Sequence, residues 1–346
     1  MTAGTRRRKC PTRTVGAPQP NEEQGAAVLA IEVRDLHKRY GDTVALDDVS
    51  LSVNEGEIFG VLGRNGAGKT TTVETIAGLR LPDRGTARVL GLDPRRDRAR
   101  LRPVLGVQLQ DTALHTALTV RELVRLYRSF YPEGADPDEL IDSLGLGPRR
   151  NVRFEQLSGG QQQRLSIALA LVGNPRVALL DELTTGLDPE ARRAIWSLVE
   201  GLRDTGVTVL LVSHLMEEVE RLCDRVALID HGRVVATDSP AGLIERAGLD
   251  QRVRFRASDD AFGTAVLDGV PEVISVEARG DQVTVTGTGN LLQAVSAALV
   301  HGGVVVTETR LERATLDDAF LALTGRSLTD ETTDETTDET DTEDDR

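Results

Sequence analysis

The chain has 346 residues, 39% of them hydrophobic but only 3% aromatic, and a formal net charge of −14. That length holds one large domain and a smaller one. With no run of about 18 or more apolar residues it offers no membrane-spanning helix, and with no basic, aromatic-studded face it argues against nucleic acid as a partner.

The charge is unevenly placed. Residues 330–346 contain ten acids and one base, so −9 sits there and −5 on the rest. The basic start Arg6–Lys9 is followed by no apolar stretch, so it does not read as a signal peptide. The two cysteines, Cys10 and Cys223, make no disulfide framework and have no metal-ligand spacing. A cytoplasmic chain is expected.

Residues 1–27 are polar and without periodicity, and read as a disordered arm. From residue 28 short apolar runs at 28–33, 57–62, 104–108, 177–180 and 207–212 predict strands. Amphipathic stretches at 69–77, 119–130, 160–172 and 189–202 predict helices between or after them. Strands alternating with helices argue for an α/β layer architecture with a largely parallel sheet, here over 28–247. The strand-poor stretch 112–173 reads as a helical insertion.

The pattern changes near Gly248. Runs at 252–256, 273–278, 282–286 and 304–309 alternate like half-buried strands, with helical stretches at 259–267 and 290–300 between them. That order is the split βαβ plan of a small α+β, ferredoxin-like module over 250–326. A last helix, 316–324, ends at Gly325. Its apolar residues Leu316, Phe320 and Leu323 are expected to pack on the small module. The acidic repeats of 327–346 are expected to stay disordered.

Three segments carry the chemistry. Gly63-Arg64-Asn65-Gly66-Ala67-Gly68-Lys69-Thr70 follows a strand and opens a helix. Glycines there let successive backbone N–H groups converge on a phosphate, helped by the helix N-terminus. Lys69 can reach between the β- and γ-phosphates, and the Thr70 hydroxyl can coordinate magnesium. The run 177–180 ends in Asp181 and Glu182: the first is placed to hold Mg2+, the second to polarise an attacking water. Leu157-Ser158-Gly159-Gly160-Gln161 opens another helix, with Ser158 as N-cap and glycine N–H groups turned to an anion. One phosphate loop already serves the chain's own nucleotide, so this second anion site calls for a phosphate from another molecule.

Phosphate loop, Leu157–Gln161 and the segment Leu179–Pro189 together resemble the nucleotide-binding domain of ATP-binding cassette (ABC) transporters, over roughly residues 29–245. The resemblance implies a P-loop NTPase, RecA-like cassette with a helical subdomain, binding ATP and Mg2+ and hydrolysing ATP. It implies that Gly63 to Thr70, with Thr71, hold the nucleotide. Tyr40 matches the aromatic that stacks on adenine. Gln110 matches the glutamine that senses magnesium and couples to the membrane subunit, with Gln108 an alternative. Asp188 matches the loop that meets the partner protomer, and His214 the switch histidine at the γ-phosphate. Leu183 stands where the family usually has proline, and Ser213 where threonine is common; neither removes a chemical group.

The segment 314–326 is similar to the ending of daunorubicin-resistance-type exporter subunits. The resemblance therefore implies a homodimeric ATPase subunit, peripheral on the cytoplasmic face of the membrane, that powers export through a separate permease. An uptake subunit is the alternative within transport. A soluble cassette ATPase is the alternative outside it, although such proteins usually carry two cassettes or long coiled-coil insertions. The cargo is not legible in the chain.

Overall fold

Five consecutive apolar or small residues, Ile58–Leu62, form β3, with no residue exposed. The reason is its place in the sheet. In the computed structural model, which describes residues 29–109, 114–248, 250–257, 264–312 and 314–325, β3 lies inside a six-stranded sheet. The other strands are β5 (Leu105–Gln108), β6 (Val177–Asp181), β7 (Thr208–Ser213), β8 (Arg225–Asp230) and β9 (Arg233–Asp238), in the order β5-β6-β7-β3-β8-β9. Only the β8–β9 pairing is antiparallel. Parallel strands covered on both faces read as continuous apolar runs, which is why β3, β6 and β7 were visible in the sequence.

The period of two sorts their side chains into two cores. Phe59, Val61, Leu179, Leu210 and Val212 face a three-stranded antiparallel sheet, order β2-β1-β4, made by β1 (Leu29–Tyr40), β2 (Thr43–Asn54) and β4 (Arg84–Val89). Ile58, Leu62, Leu180, Val209 and Leu211 face the other way, sharing a core with residues of α5 (Gly159–Leu171), α6 (Pro189–Asp204) and α7 (Met216–Leu222). Strands β2, β4, β8 and β9 escaped the sequence reading. In β4 only Val89 is buried, so no apolar run marks it.

The remaining helices of this part are α1 (Lys69–Ile76), α2 (Arg98–Leu101), α3 (Val120–Arg128), α4 (Pro137–Ser143) and α8 (Pro240–Arg246). Helices α3, α4 and α5 enclose a third core around Leu123, Ile141 and Leu165. The starts of α3 and α4 are set by side-chain caps from Thr119 and Asp136, which accept hydrogen bonds from first-turn N–H groups.

The C-terminal strands β10 (Gln251–Ala257), β11 (Val273–Arg279), β12 (Gln282–Gly287) and β13 (Val306–Glu312) pair antiparallel in the order β11-β12-β10-β13. This is the ferredoxin-like order. Val253, Phe255, Val283 and Val285 bury against α9 (Leu291–His301). Of the helix predicted at 259–267, residues 259–263 lie outside the described residues, and Thr264–Leu267 is a short 3-10 turn.

The last helix, α10 (Leu316–Thr324), corrects one expectation. Its buried residues Leu316, Ala319 and Phe320 join the core of α6 and α7, and the Leu316 N–H donates to Glu220 of α7 at 2.7 Å. The small sheet has α9 on its apolar face, while α7 and α8 offer an apolar surface. The apolar spacing of α10 was legible; its partner was not. The N-terminal arm and the acidic tail lie outside the described residues.

Candidate functional site

Strand register brings the chemistry to one end of the sheet. Leu62 of β3 pairs with Ser213 of β7, and Asp181 of β6 with Val212, so the segments that follow these three strands emerge side by side. Between them lies an open cleft of about 640 Å³, lined by Tyr40, Ala45, Asn65, Gly66, Gly68 and Lys69 to Thr71 on one side. Glu182, Thr185 and His214 line the other.

The loop from Gly63 to Gly68 passes from β3 into α1. Gly68 has φ 103°, and a Cβ there would lie 2.5 Å from the Ala45 carbonyl oxygen, so only glycine fits this turn. No side chain caps α1 and no acid sits in its first turn, which leaves its positive end to an anion. Lys69 is buried, and its Nζ donates to the carbonyl oxygens of Gly63 at 2.7 Å and Arg64 at 3.0 Å. The ammonium is thereby held against the loop. Thr70 stands exposed at the cleft.

Asp181, just before Glu182, is 1% exposed and is not among the residues that line the cleft. Burial, reinforced by the neighbouring Glu182 carboxylate, pushes its pKa up to about 6, against the pull of Lys69. Its Oδ2 is shut off from solvent and has no hydrogen-bond partner among the described residues. An orphaned buried carboxylate oxygen that feels the Lys69 ammonium of the phosphate loop is a hard oxygen donor, which fits a magnesium ion. Among the described residues no three His, Cys, Asp or Glu side chains are grouped to hold a metal by themselves, so such an ion needs further oxygens from the triphosphate.

Glu182 has a positive φ of 50°, uncommon for a residue with a side chain, and its N–H donates to the Val212 carbonyl oxygen at 2.9 Å. Leu183 is buried in the core under α6 and α7, which anchors the next residue. Oε1 of Glu182 lies 3.4 Å from Nδ1 of His214. The turn bearing His214 is set by Ser213, whose Oγ accepts from the Leu215 N–H at 3.0 Å.

Tyr40 ends β1 at the cleft's rim, 39% exposed. Lys38 Nζ and Arg80 Cζ each lie 5.4 Å from its ring centroid, and Arg80 also binds Glu74. Cations near an aromatic ring hold it in place while part of it remains open for stacking.

The structure does not bring every predicted residue into this cleft. Ser158, Gly159, Gly160 and Gln161 open α5 and do not line it. Ser158 is the N-cap, and its N–H donates to Gln161 Oε1 at 3.2 Å. Asp188, the N-cap of α6, accepts from the N–H groups of Glu190 and Ala191, both at 2.9 Å, and these bonds lower its pKa. The two helix starts touch: a Cβ on Gly160 would lie 3.0 Å from that of Ala191. Gln110 lies outside the described residues. Gln108 is buried and engaged, accepting from the Asp181 N–H at 3.1 Å and donating to the Leu109 carbonyl at 2.9 Å. Sequence reasoning missed Ala45 in the cleft wall and Arg80 beside Tyr40, neither of which lies in a motif, and gave no role to Thr185, which lines the cleft from within the segment Leu179–Pro189.

Comparison with known proteins identifies the family. A family model described as ABC transporter matches residues 46–185. The chain is 38% identical over 310 residues to the Nod factor export ATP-binding protein I of Sinorhizobium fredii (strain NBRC 101917 / NGR234), covering 87% of this chain and 88% of that protein. It is 37% identical over 308 residues to the daunorubicin resistance ATP-binding protein DrrA3 of Streptomyces coeruleorubidus, covering 86% and 97%. Among solved structures, the ATP-binding subunit of an ABC transporter aligns with TM-score 0.58 and 28% identity over 63% of this chain and 93% of its own. A bacterial ABC transporter cassette solved as a dimer aligns with TM-score 0.55 and 30% identity, over 60% and 98%.

Proposed function

The chain belongs to the ABC transporter family as one of its ATP-hydrolysing cassettes, and from that premise we propose that two copies clasp each ATP between them to drive an export permease carried on a separate polypeptide. The observation that carries this reading is the separation just described. Loop, lysine, Glu182 and histidine share one cleft, while the second anion-binding turn, Ser158–Gln161, stands outside it. A phosphate at that turn has to be brought by the other copy. A cassette of this family was solved as a dimer, which supports the pairing of two copies.

In the proposed cycle adenine stacks on Tyr40 and the phosphates fill the loop from Gly63 to Thr71. Lys69 exchanges its two carbonyl partners for phosphate oxygens. Thr70 and Asp181 would hold the magnesium, joined by Gln110 as the family resemblance implies, and the ion would supply neutralisation of phosphate charge. Ser158, Gly159, Gly160 and Gln161 of the second copy close over the γ-phosphate, and Asp188 lies at the same contact. ATP thus prefers the closed pair, which is how its binding does work.

Hydrolysis converts ATP and water to ADP and phosphate. Glu182 orients the water and accepts its proton, and its short distance from His214 lets the imidazole bridge that carboxylate and the γ-phosphate. Lys69 and His214 stabilise charge on the transferred group. Loss of phosphate removes the bridge, and the pair opens.

Export is favoured over uptake by the relatives, one named for Nod factor export and one for daunorubicin resistance. Among the described residues no helix is long and apolar enough to cross a membrane. On this reading the cassette works at the membrane's cytoplasmic face through its permease. The Glu182→Gln variant tests the reading. ATP binding kept and turnover lost is expected; turnover at the native rate would remove Glu182 from the mechanism.

A further inference from the structure

Among the described residues, one carboxylate is buried completely and serves no part of the cycle above. Glu218, in α7, is 0% exposed. Its Oε1 accepts from Thr184 Oγ1 at 2.9 Å and from Trp196 Nε1 at 3.2 Å. Its Oε2 is equally buried and has no hydrogen-bond partner among the described residues. Taking a carboxylate out of water costs several kcal/mol, and an apolar side chain would fill the same space more cheaply. Packing alone therefore does not account for it.

What the carboxylate joins is informative. Thr184 lies two residues beyond Glu182, in the segment that leads to Asp188 and α6. Trp196 is on α6, and α7 starts at Met216, two residues beyond His214. One oxygen atom thus ties together the segment after Glu182, the helix that segment enters, and the helix that follows His214. On the sheet side Glu182 is held by its N–H bond to Val212. On the far side Thr184 is the next residue fixed by a side-chain hydrogen bond, and Glu218 accepts it.

We propose that Glu218 is a positioning residue for hydrolysis: through Thr184 it fixes the segment that aims Glu182 and keeps it in register with His214. The proposal rests on the reading of Glu182 as the group that orients water. Its consequence is kinetic, because a reacting group displaced by about 1 Å can lose on the order of a hundredfold in rate while nucleotide contacts persist.

The test uses the full chain and three substitutions beside Glu182→Gln. Thr184→Val removes the bond into the catalytic segment at nearly constant shape, Thr184→Ser keeps it, and Trp196→Phe removes the other bond to the same oxygen. The expected result is a kcat about tenfold or more lower for Thr184→Val, with the KM for ATP changed by about twofold or less. Thr184→Ser should restore kcat to about a third of native or better, while Trp196→Phe lowers the melting temperature with kcat near native. A native kcat in Thr184→Val, or equal losses of kcat in Thr184→Val and Trp196→Phe, overturns the inference. An inactive Glu182→Gln with an unimpaired Thr184→Val overturns this inference alone; an active Glu182→Gln overturns it together with the reading beneath it.

Discussion

Nδ1 of His214 lies 3.4 Å from Oε1 of Glu182, although the two residues follow different strands, β7 and β6. The contact exists because those strands are parallel neighbours whose ends are in register. It places an acid and an imidazole on the same wall of the cleft, opposite the phosphate loop.

Removing His214 should therefore slow chemistry and spare binding. For His214→Ala, kcat is expected to fall about 100- to 1000-fold, the usual loss for one preorganised stabilising group. Steady-state ATPase assays beside equilibrium nucleotide binding check this. A rise in Kd with unchanged kcat would assign His214 to binding instead.

Lys69 should behave the opposite way. Hydrogen bonds from a charged donor contribute about 1.5–3 kcal/mol, so Lys69→Ala is expected to weaken ATP binding about 10- to 150-fold. Calorimetric titration reads this directly. Because Lys69 also tethers the carbonyls of Gly63 and Arg64, the variant without nucleotide should also melt earlier than the native chain.

Asp181 gives a pH dependence with a definite sign. Its pKa is raised from 3.8 to about 6, so between these values the folded chain binds more protons than the unfolded one. Its contribution to stability is then present at low pH and lost as pH rises through that window. Melting temperatures of Asp181→Asn and the native chain should diverge from pH 4 to 7, with the variant gaining relative to native. Magnesium with a non-hydrolysable ATP analogue should stabilise the native chain more above pH 6 than below it, since an ionised carboxylate binds the cation better.

The seat of α10 predicts where a C-terminal lesion is felt. Phe320 is fully buried among residues of the cassette core, so Phe320→Ala should cost about 3–5 kcal/mol in the transition of that core. The chain's single tryptophan, Trp196, lies in the same core and reports it by fluorescence in a denaturant titration. An unchanged midpoint at Trp196 would place α10 on the small sheet after all.

Much of this was legible because the chemistry is local. The loop from Gly63 to Thr70 has to follow a strand and open a helix, and a buried parallel strand has to be apolar throughout, so β3, β6 and β7 announce themselves. The half-exposed strands β2, β4 and β9 carry polar residues at positions that face water, and short α4, α7 and α8 have too few turns to establish a period; β8 was missed although Val226–Ile229 is a buried apolar run like that of β3. Longer-range facts were illegible in principle. Nothing in 216–222 says that Glu218 meets Thr184 and Trp196, because that contact depends on how three segments converge. The stripe Leu316, Ala319, Phe320 declares a buried helix face without saying which of two available cores receives it. For the same reason Gln108 reads as a neighbour of Gln110 until the sheet shows its amide engaged by Asp181.

The most direct test of a nucleotide shared between two copies is sedimentation of Glu182→Gln with ATP, with and without the added substitution Ser158→Phe. A bulky ring at the start of α5 blocks the approach of the other copy's γ-phosphate but leaves the chain's own cleft open. Glu182→Gln is expected to sediment as a dimer with ATP and as a monomer without it, and the double variant as a monomer that still binds fluorescent ATP. A double variant that dimerises on ATP as readily as Glu182→Gln would contradict the account.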